Sequence, residues 1–129
     1  MFETILQVED EPRVRKTVGT ILERHGYKVL AAADGVEATK LAQAHRQEIA
    51  LLLTDLVMPG GLNGHELARQ LQATMLNLKV VYITGYSPEI AGKELQLQSG
   101  ENFVQIPFAT DHLLSTIRRS LDEHRRAGR

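Results

Sequence analysis

The chain has no cysteine, no long apolar run and almost no net charge. Without cysteine, neither a disulfide framework nor thiol chemistry is available, and the cytoplasm is the natural compartment. No apolar run approaches the roughly 18 residues that a membrane-spanning helix needs. The formal net charge of −1 predicts no basic surface for nucleic acid or for an anionic membrane. These absences exclude disulfide-stabilised, membrane-spanning and nucleic-acid-binding classes of protein.

What the sequence does contain is typical of a globular domain, with 43% hydrophobic and 24% charged residues in 129. A chain of this length forms one domain with its own core. Five β-prone runs alternate with segments of helical periodicity; the strands are predicted at 4–8, 27–33, 49–54, 79–83 and 101–106. Such alternation favours a parallel sheet with helices on both faces, joined by right-handed crossovers.

The third strand organises the rest of the chain. Its five consecutive apolar residues, 49–53, are typical of a strand buried on both faces. Asp55 follows at the carboxyl end of this strand, and a dense cluster of turn residues comes next, at 59–64. Taken alone, Asp55 is better explained as the cap of a turn. Open α/β sheets, however, bind their ligands at the carboxyl ends of the strands.

Polar residues also end the first and fourth strands. Glu9, Asp10 and Glu11 follow the first strand, and Thr84 follows the fourth. Acidic residues suit the start of the next helix as well, and both interpretations can hold together. Because the carboxyl ends of parallel strands meet at one edge, we predict that Glu9, Asp10 and Asp55 form a three-carboxylate pocket.

Three close carboxylates need a proton or a cation. Two of them about 4 Å apart repel by about 4 kcal/mol at an effective dielectric constant of 20. Oxygen ligands with room for water favour Mg²⁺ over zinc, which prefers nitrogen or sulfur. A carboxylate beside Mg²⁺ can attack a phosphoryl group and form an aspartyl phosphate, with the Thr84 hydroxyl offered to the phosphoryl oxygens. The glycine signatures of P-loop and dinucleotide-binding sites are absent, and a phosphatase of the aspartyl-nucleophile kind would have aspartate at the position of Val57.

Four motifs in this order resemble the receiver domain of two-component signalling. They are residues 8–12 (VEDEP), 54–60 (TDLVMPG), 83–86 (ITGY) and 107–108 (PF). The resemblance covers essentially the whole chain, so it implies one receiver (response regulatory) domain over 1–129 with a core at about 3–124. It also implies an α/β fold: a doubly wound, parallel (βα)5 sheet with the flavodoxin-like strand order 2-1-3-4-5. The glycine-rich loop and the run 84–87 are most similar to receivers of hybrid sensor histidine kinases.

The resemblance implies a role for each matching position. Asp55 would be the phosphoacceptor, Thr84 the switch hydroxyl and Phe103 the switch aromatic residue. Mg²⁺ would be held by Glu9, Asp10, Asp55 and the backbone carbonyl of Val57. Glu9 stands where aspartate is commoner, and a water-mediated metal contact tolerates the extra methylene.

One position departs from the family pattern. Receivers carry a lysine immediately before the Pro-Phe pair, and here that residue is Ile106. The cation that pairs with the phosphoryl group is therefore missing. Two functions stay open: a phosphoacceptor, or a degenerate receiver that binds a protein partner without phosphorylation. The resemblance further implies a cis peptide bond between Ile106 and Pro107.

The expected partners are proteins. A histidine kinase or phosphotransfer domain would donate the phosphoryl group, and a downstream protein would bind the face formed by residues 88–124, because the predicted helix 88–98 lacks a single apolar face. No nucleic acid and no membrane are expected. We expect no independent enzyme activity beyond self-phosphorylation at Asp55. The chain is either a single-domain regulator or part of a longer protein such as a hybrid histidine kinase.

Overall fold

The computed structural model describes residues 3–56, 63–84 and 103–127. The strands are β1 (Thr4–Val8), β2 (Lys28–Ala32), β3 (Ile49–Asp55), β4 (Lys79–Thr84) and β5 (Phe103–Gln105). The helices in these ranges are α1 (Pro12–Arg24), α2 (Gly35–Ala44), α3 (Gly64–Thr74) and α4 (Thr110–Ala127). The helix predicted at 88–98 lies outside the described residues, as does Val57.

All five strands pair in parallel, in the order β2-β1-β3-β4-β5. The predicted doubly wound, flavodoxin-like sheet is therefore confirmed. The first crossover runs from β1 outward to β2, and the next returns past β1 to β3, so β1 and β3 are neighbours. Their register places Val8 opposite Thr54, which brings the residues after β1 beside the end of β3.

The core lies on both faces of the sheet, as predicted for a buried parallel sheet. On one face, β1 and β3 contribute Leu6 and Leu52 to a cluster that α2 and α3 cover. On the other face, Ile5, Leu51 and Leu53 pack in a cluster that α1 and α4 cover. Because successive side chains of a strand point to opposite faces, the unbroken apolar run of β3 serves both clusters.

The helix starts follow the capping rules at the acidic edge of the sheet. The Glu11 side chain caps α1 by accepting a hydrogen bond from the Arg13 N–H, with Pro12 as the first helical residue. Asn63 and Glu66 form a reciprocal capping box at the start of α3. The Glu11 cap comes three residues after the end of β1, and the Gly64 N–H next to the Asn63 cap donates to the Leu56 carbonyl beside the end of β3, so both helix starts lie at this edge of the sheet.

Several strand boundaries differ by one residue from the sequence prediction: β2 is Lys28–Ala32 rather than 27–33, and β3 and β4 each extend one residue further, to Asp55 and Thr84. The last helix, α4, begins at Thr110, and the Ala109 carbonyl accepts hydrogen bonds from the His112 and Leu113 N–H groups. The fifth strand was predicted to include Ile106 but ends at Gln105. Pro107 has no N–H to continue a ladder, and the Ile106–Pro107 bond is cis, as expected.

In the part of the chain that the structure describes, no helix combines the length and the apolar character that crossing a membrane requires.

Candidate metal centre

Three acidic side chains meet at the carboxyl edge of the sheet. Glu9 and Asp10 follow β1 directly, and Asp55 is the last residue of β3. One carboxylate oxygen from each residue lies within 4.8 Å of the other two. Glu9 is buried, Asp55 is partly buried and Asp10 is exposed, so the cluster opens to solvent on the side of Asp10. The sequence pattern thus identifies the three acids that the fold brings together.

Glu9 is held in place by several hydrogen bonds. Its N–H donates to the Ala32 carbonyl at 3.0 Å, and its own carbonyl accepts from Nη1 of Arg15 at 2.7 Å. The carboxylate oxygen Oε2 accepts from the Glu11 N–H at 2.9 Å. With both backbone groups and one side-chain oxygen bonded, the carboxylate is fixed in orientation towards the cluster.

The backbone of Leu56, the residue after Asp55, is held by hydrogen bonds to β4 and to the start of α3. The N–H of Leu56 donates to the Ile83 carbonyl, and the Gly64 N–H donates to the Leu56 carbonyl. A Cβ atom at Gly64 would lie 2.1 Å from the Asp55 carbonyl oxygen, a distance that no side chain can occupy. Glycine at position 64 therefore lets α3 start against the end of β3, immediately beside the candidate site.

The environment of Glu9 opposes its negative charge. The pKa of Glu9 is raised from 4.5 to about 7: burial is the largest cause, the charges of Asp55 and Asp10 raise the pKa further, and the hydrogen bond from the Glu11 N–H partly opposes them. A proton or a cation bound by the cluster relieves this repulsion. The donor set consists of carboxylate oxygens, which suit a hard cation such as Mg²⁺. The residues present therefore fit a magnesium ion held by Glu9, Asp10 and Asp55.

The raised pKa of Glu9 predicts a pH-dependent stability. The folded chain binds the proton more tightly than the unfolded chain, so this contribution is complete below pH 4.5 and is lost as the pH rises through about 7. The full displacement corresponds to up to about 3 kcal/mol. We therefore expect Glu9→Gln to stabilise the metal-free chain at pH 8 by an amount up to that figure, and to change little at pH 4.5. Urea unfolding in a chelator at both pH values measures the difference.

Glu23→Gln is the matched control, because Glu23 is an exposed glutamate near the end of α1. Its unfolding midpoint should follow that of the wild type at both pH values. Parallel pH profiles for the wild type and Glu9→Gln would contradict the assigned environment of Glu9.

The predicted switch residues lie at neighbouring strand ends. Thr84 is the last residue of β4, and its backbone pairs with Gln105; its side chain lies outside the described residues. Phe103 begins β5, pairs with Tyr82 and is fully buried in the cluster beneath α2 and α3. The two positions therefore lie on adjacent strands, and β4 in turn pairs with β3, where Ile83 is opposite Asp55.

Ile106 contributes no charge to this edge. Its side chain is half-buried and packs against the apolar cluster shared by α1 and α4. Phe108 packs against the same cluster, so the segment after β5 is held by apolar contacts. An isoleucine fits this environment well, which explains how the fold accepts the loss of the family's lysine.

Sequence reasoning missed the residues that position the acids. Arg15 fixes the Glu9 carbonyl from the first turns of α1, and Gly64 admits the carbonyl of Asp55. Neither has a distinctive signal: Arg15 is one of three cations at 13–16, and Gly64 is one of three glycines at 60–64. Their roles depend on the distance between a helix and a strand end, which only the folded chain defines.

Comparison with known proteins gives a consistent result. The family model described as "Response regulator receiver domain" matches residues 5–118. The sensor kinase CckA of Brucella abortus (strain 2308) is 32% identical over 120 residues, which is 93% of this chain and 13% of that protein. The crystal structure of a receiver domain from the hybrid histidine kinase CckA has a TM-score of 0.76 at 32% identity, covering 92% of this chain and 98% of that one.

A receiver domain protein from Clostridium thermocellum has a TM-score of 0.83, with 97% of this chain and 98% of that one covered. At 21% identity, this similarity shows the fold alone. Response regulator MprA of Mycobacterium leprae (strain TN) is 34% identical over 117 residues, 88% of this chain and 49% of that protein. The chain thus spans about an eighth of the sensor kinase and about half of the regulator.

Proposed function

This chain belongs to the response regulator receiver domain family of two-component signalling, and we propose that Asp55 is its phosphoacceptor. In this proposal Asp55 takes a phosphoryl group from a histidine kinase or a phosphotransfer domain, with Mg²⁺ bound. The observation that carries the proposal is the approach of Glu9, Asp10 and Asp55 to within 4.8 Å at the carboxyl edge of the sheet. Acids so close are costly to the fold, and they are explained by binding a cation and a phosphoryl group.

Asp55 supplies the nucleophilic oxygen in the proposed reaction. A bond forms between this oxygen and the phosphorus while the bond from phosphorus to the imidazole nitrogen of the donor breaks. Glu9 and Asp10 would hold the metal with Asp55, joined by the Val57 carbonyl as the family resemblance implies. Bound Mg²⁺ would offset the negative charge of the carboxylates and of the incoming phosphoryl group. Thr84, at the end of the neighbouring strand, would donate its hydroxyl to a phosphoryl oxygen.

Titration with Mg²⁺ tests the metal site before any phosphorylation. We expect millimolar Mg²⁺ to shift the backbone amide resonances of residues 9–10 and 55–58, because the carboxylates of Glu9, Asp10 and Asp55 bind the ion. Asp10→Asn should weaken the affinity for Mg²⁺ by about tenfold, since it removes one charged carboxylate ligand of the set. Asp111→Asn, at an exposed acid in the first turn of α4, should leave the titration unchanged.

The absence of any shift near residues 9–10 and 55 at millimolar Mg²⁺ would contradict the metal site. Equal responses in Asp10→Asn and the wild type would remove Asp10 from the ligand set.

A second function rests on Ile106. Because this side chain packs into an apolar cluster, the lysine of the family pattern is replaced by a residue that cannot neutralise a phosphoryl group. The chain could then act as a degenerate receiver, a module that binds a protein partner without phosphorylation. Metal-dependent amide shifts without labelling by acetyl phosphate would favour this function over the first.

The proposed setting is a cytoplasmic signalling pathway. The similarity to the receiver of a hybrid sensor kinase supports a hybrid histidine kinase as the parent protein. A downstream protein would bind the face at 88–124, of which β5 and α4 are described. No activity beyond self-phosphorylation at Asp55 is proposed.

A further inference from the structure

The side chain of Gln7 is an unusual polar group in the core. It belongs to β1, where every residue is buried, and it is only 1% exposed. Its Nε2 donates to the Arg15 carbonyl at 3.0 Å. Its Oε1 has no hydrogen-bond donor among the residues that the structure describes. Because buried carbonyl oxygens are almost always paired with protein or with ordered water, this atom needs an explanation.

The surroundings of Gln7 include a small cavity. This cavity has a volume of about 10 Å³, and its walls include Gln7, Val18 and three residues of the acidic edge: Glu9, Thr54 and Asp55. Its volume is close to the smallest that holds one water molecule. Gly19 of α1 also leaves room at Gln7, because a Cβ atom there would lie 3.3 Å from Oε1.

The polar groups around the cavity require a molecule that can donate two hydrogen bonds. Oε1 of Gln7 is an acceptor only, and an ionised carboxylate of Glu9 or Asp55 is likewise an acceptor only. The Thr54 hydroxyl already donates to the Asp55 carbonyl at 3.0 Å. Water has two hydrogens to donate and is small enough to enter a cavity of this volume.

We propose that the cavity between β1, α1 and the end of β3 holds one buried water molecule, which donates to Gln7 Oε1 and to a carboxylate of the acidic cluster. This water gives the cluster a hydrogen-bond donor from inside the protein. It also explains why a glutamine is accommodated in an otherwise apolar strand. The proposal requires neither phosphorylation nor bound metal.

Nuclear Overhauser effects between water and protein detect such a molecule in the 129-residue chain. In the metal-free wild type we expect cross-peaks from long-lived water to the Gln7 side-chain amide and to the Val18 methyl groups. Gln7→Leu should abolish the Val18 cross-peaks, because it removes the acceptor. Gln43→Leu, which replaces an exposed glutamine of α2, should retain them.

Val18→Ile provides a second test, because its added methylene group would occupy the space of the water molecule. If the water is present, Val18→Ile leaves Gln7 Oε1 unsatisfied, and the equilibrium constant for unfolding should rise about tenfold. In the Gln7→Leu background, where no acceptor remains, the same substitution should change that constant much less.

Two results would overturn the proposal. The first is the absence of water cross-peaks in the wild type, or their persistence in Gln7→Leu. The second is an equal effect of Val18→Ile in both backgrounds, because that would reflect a change in packing alone.

Discussion

Asp55→Asn is expected to abolish phosphoryl transfer to this chain while leaving the fold intact. Asparagine has nearly the same shape as aspartate, but its neutral amide oxygen is too weak a nucleophile to attack phosphorus. The substitution also removes one of three mutually repelling charges, so the stability of the metal-free chain should be unchanged or higher. Incubation with acetyl phosphate and Mg²⁺, followed by intact mass spectrometry, should add one phosphoryl group to the wild type and none to the variant.

Asp111→Asn controls for a general effect of losing an acid. Asp111 is exposed in the first turn of α4, and its replacement should leave labelling at the wild-type level. Labelling that survives in Asp55→Asn would move the acceptor to another residue, with Glu9 and Asp10 as the neighbouring candidates. A wild type that binds Mg²⁺ but takes up no label would instead identify a degenerate receiver.

The architecture of the sheet could be predicted from the sequence because its signals are local. The apolar run at 49–53 is too short for a membrane and lacks alternation, which indicates a strand buried on both faces. Asp55 comes two residues after that run, behind Thr54, so its place at a strand end required no knowledge of the rest of the fold. The approach of Glu9 and Asp10 follows from the parallel arrangement, which brings strand ends together at one edge.

The fine positioning of the acids could not be predicted because it depends on distances between elements. The contact of Gly64 with the Asp55 carbonyl arises from where α3 begins relative to β3. The hydrogen bond from Arg15 to the Glu9 carbonyl depends on the rotation of α1 over β1.

Charge balance at the candidate site leads to the next expected result. The Glu9 carboxyl has a pKa raised to about 7 before any phosphoryl group arrives. A phosphoryl group on Asp55 would add about −1.5 to −2 charges at neutral pH. Mg²⁺ offsets two of these charges, and Ile106 offsets none of the remainder. Phosphorylation of the wild type should therefore be slow or incomplete and strongly dependent on Mg²⁺. The amide resonances of Thr84 and Phe103 should shift only slightly.

Ile106→Lys is expected to accelerate labelling by acetyl phosphate by about 30-fold. A cation about 4 Å from the phosphoryl group provides up to about 4 kcal/mol of gross attraction at an effective dielectric constant of 20, and we take about half of that to survive screening. The half-buried position suits a lysine, since its methylenes can pack where the isoleucine packs while the ammonium group reaches the sheet edge. The time course of labelling and the amide shifts of Thr84 and Phe103 after phosphorylation measure the two effects.

Two further variants separate charge from shape at this position. Ile106→Met keeps an apolar side chain of similar volume, so it should label at the wild-type rate. Gln105→Lys places a lysine on the exposed last residue of β5, where it tests whether any added cation nearby is sufficient. The effect of a lysine at position 106 is specific only if Ile106→Lys accelerates labelling far more than Gln105→Lys does. The contrary result is that the wild type and Ile106→Lys label at the same rate and show the same amide shifts at Thr84 and Phe103. In that case Mg²⁺ alone balances the phosphoryl charge, and the missing lysine does not affect this receiver.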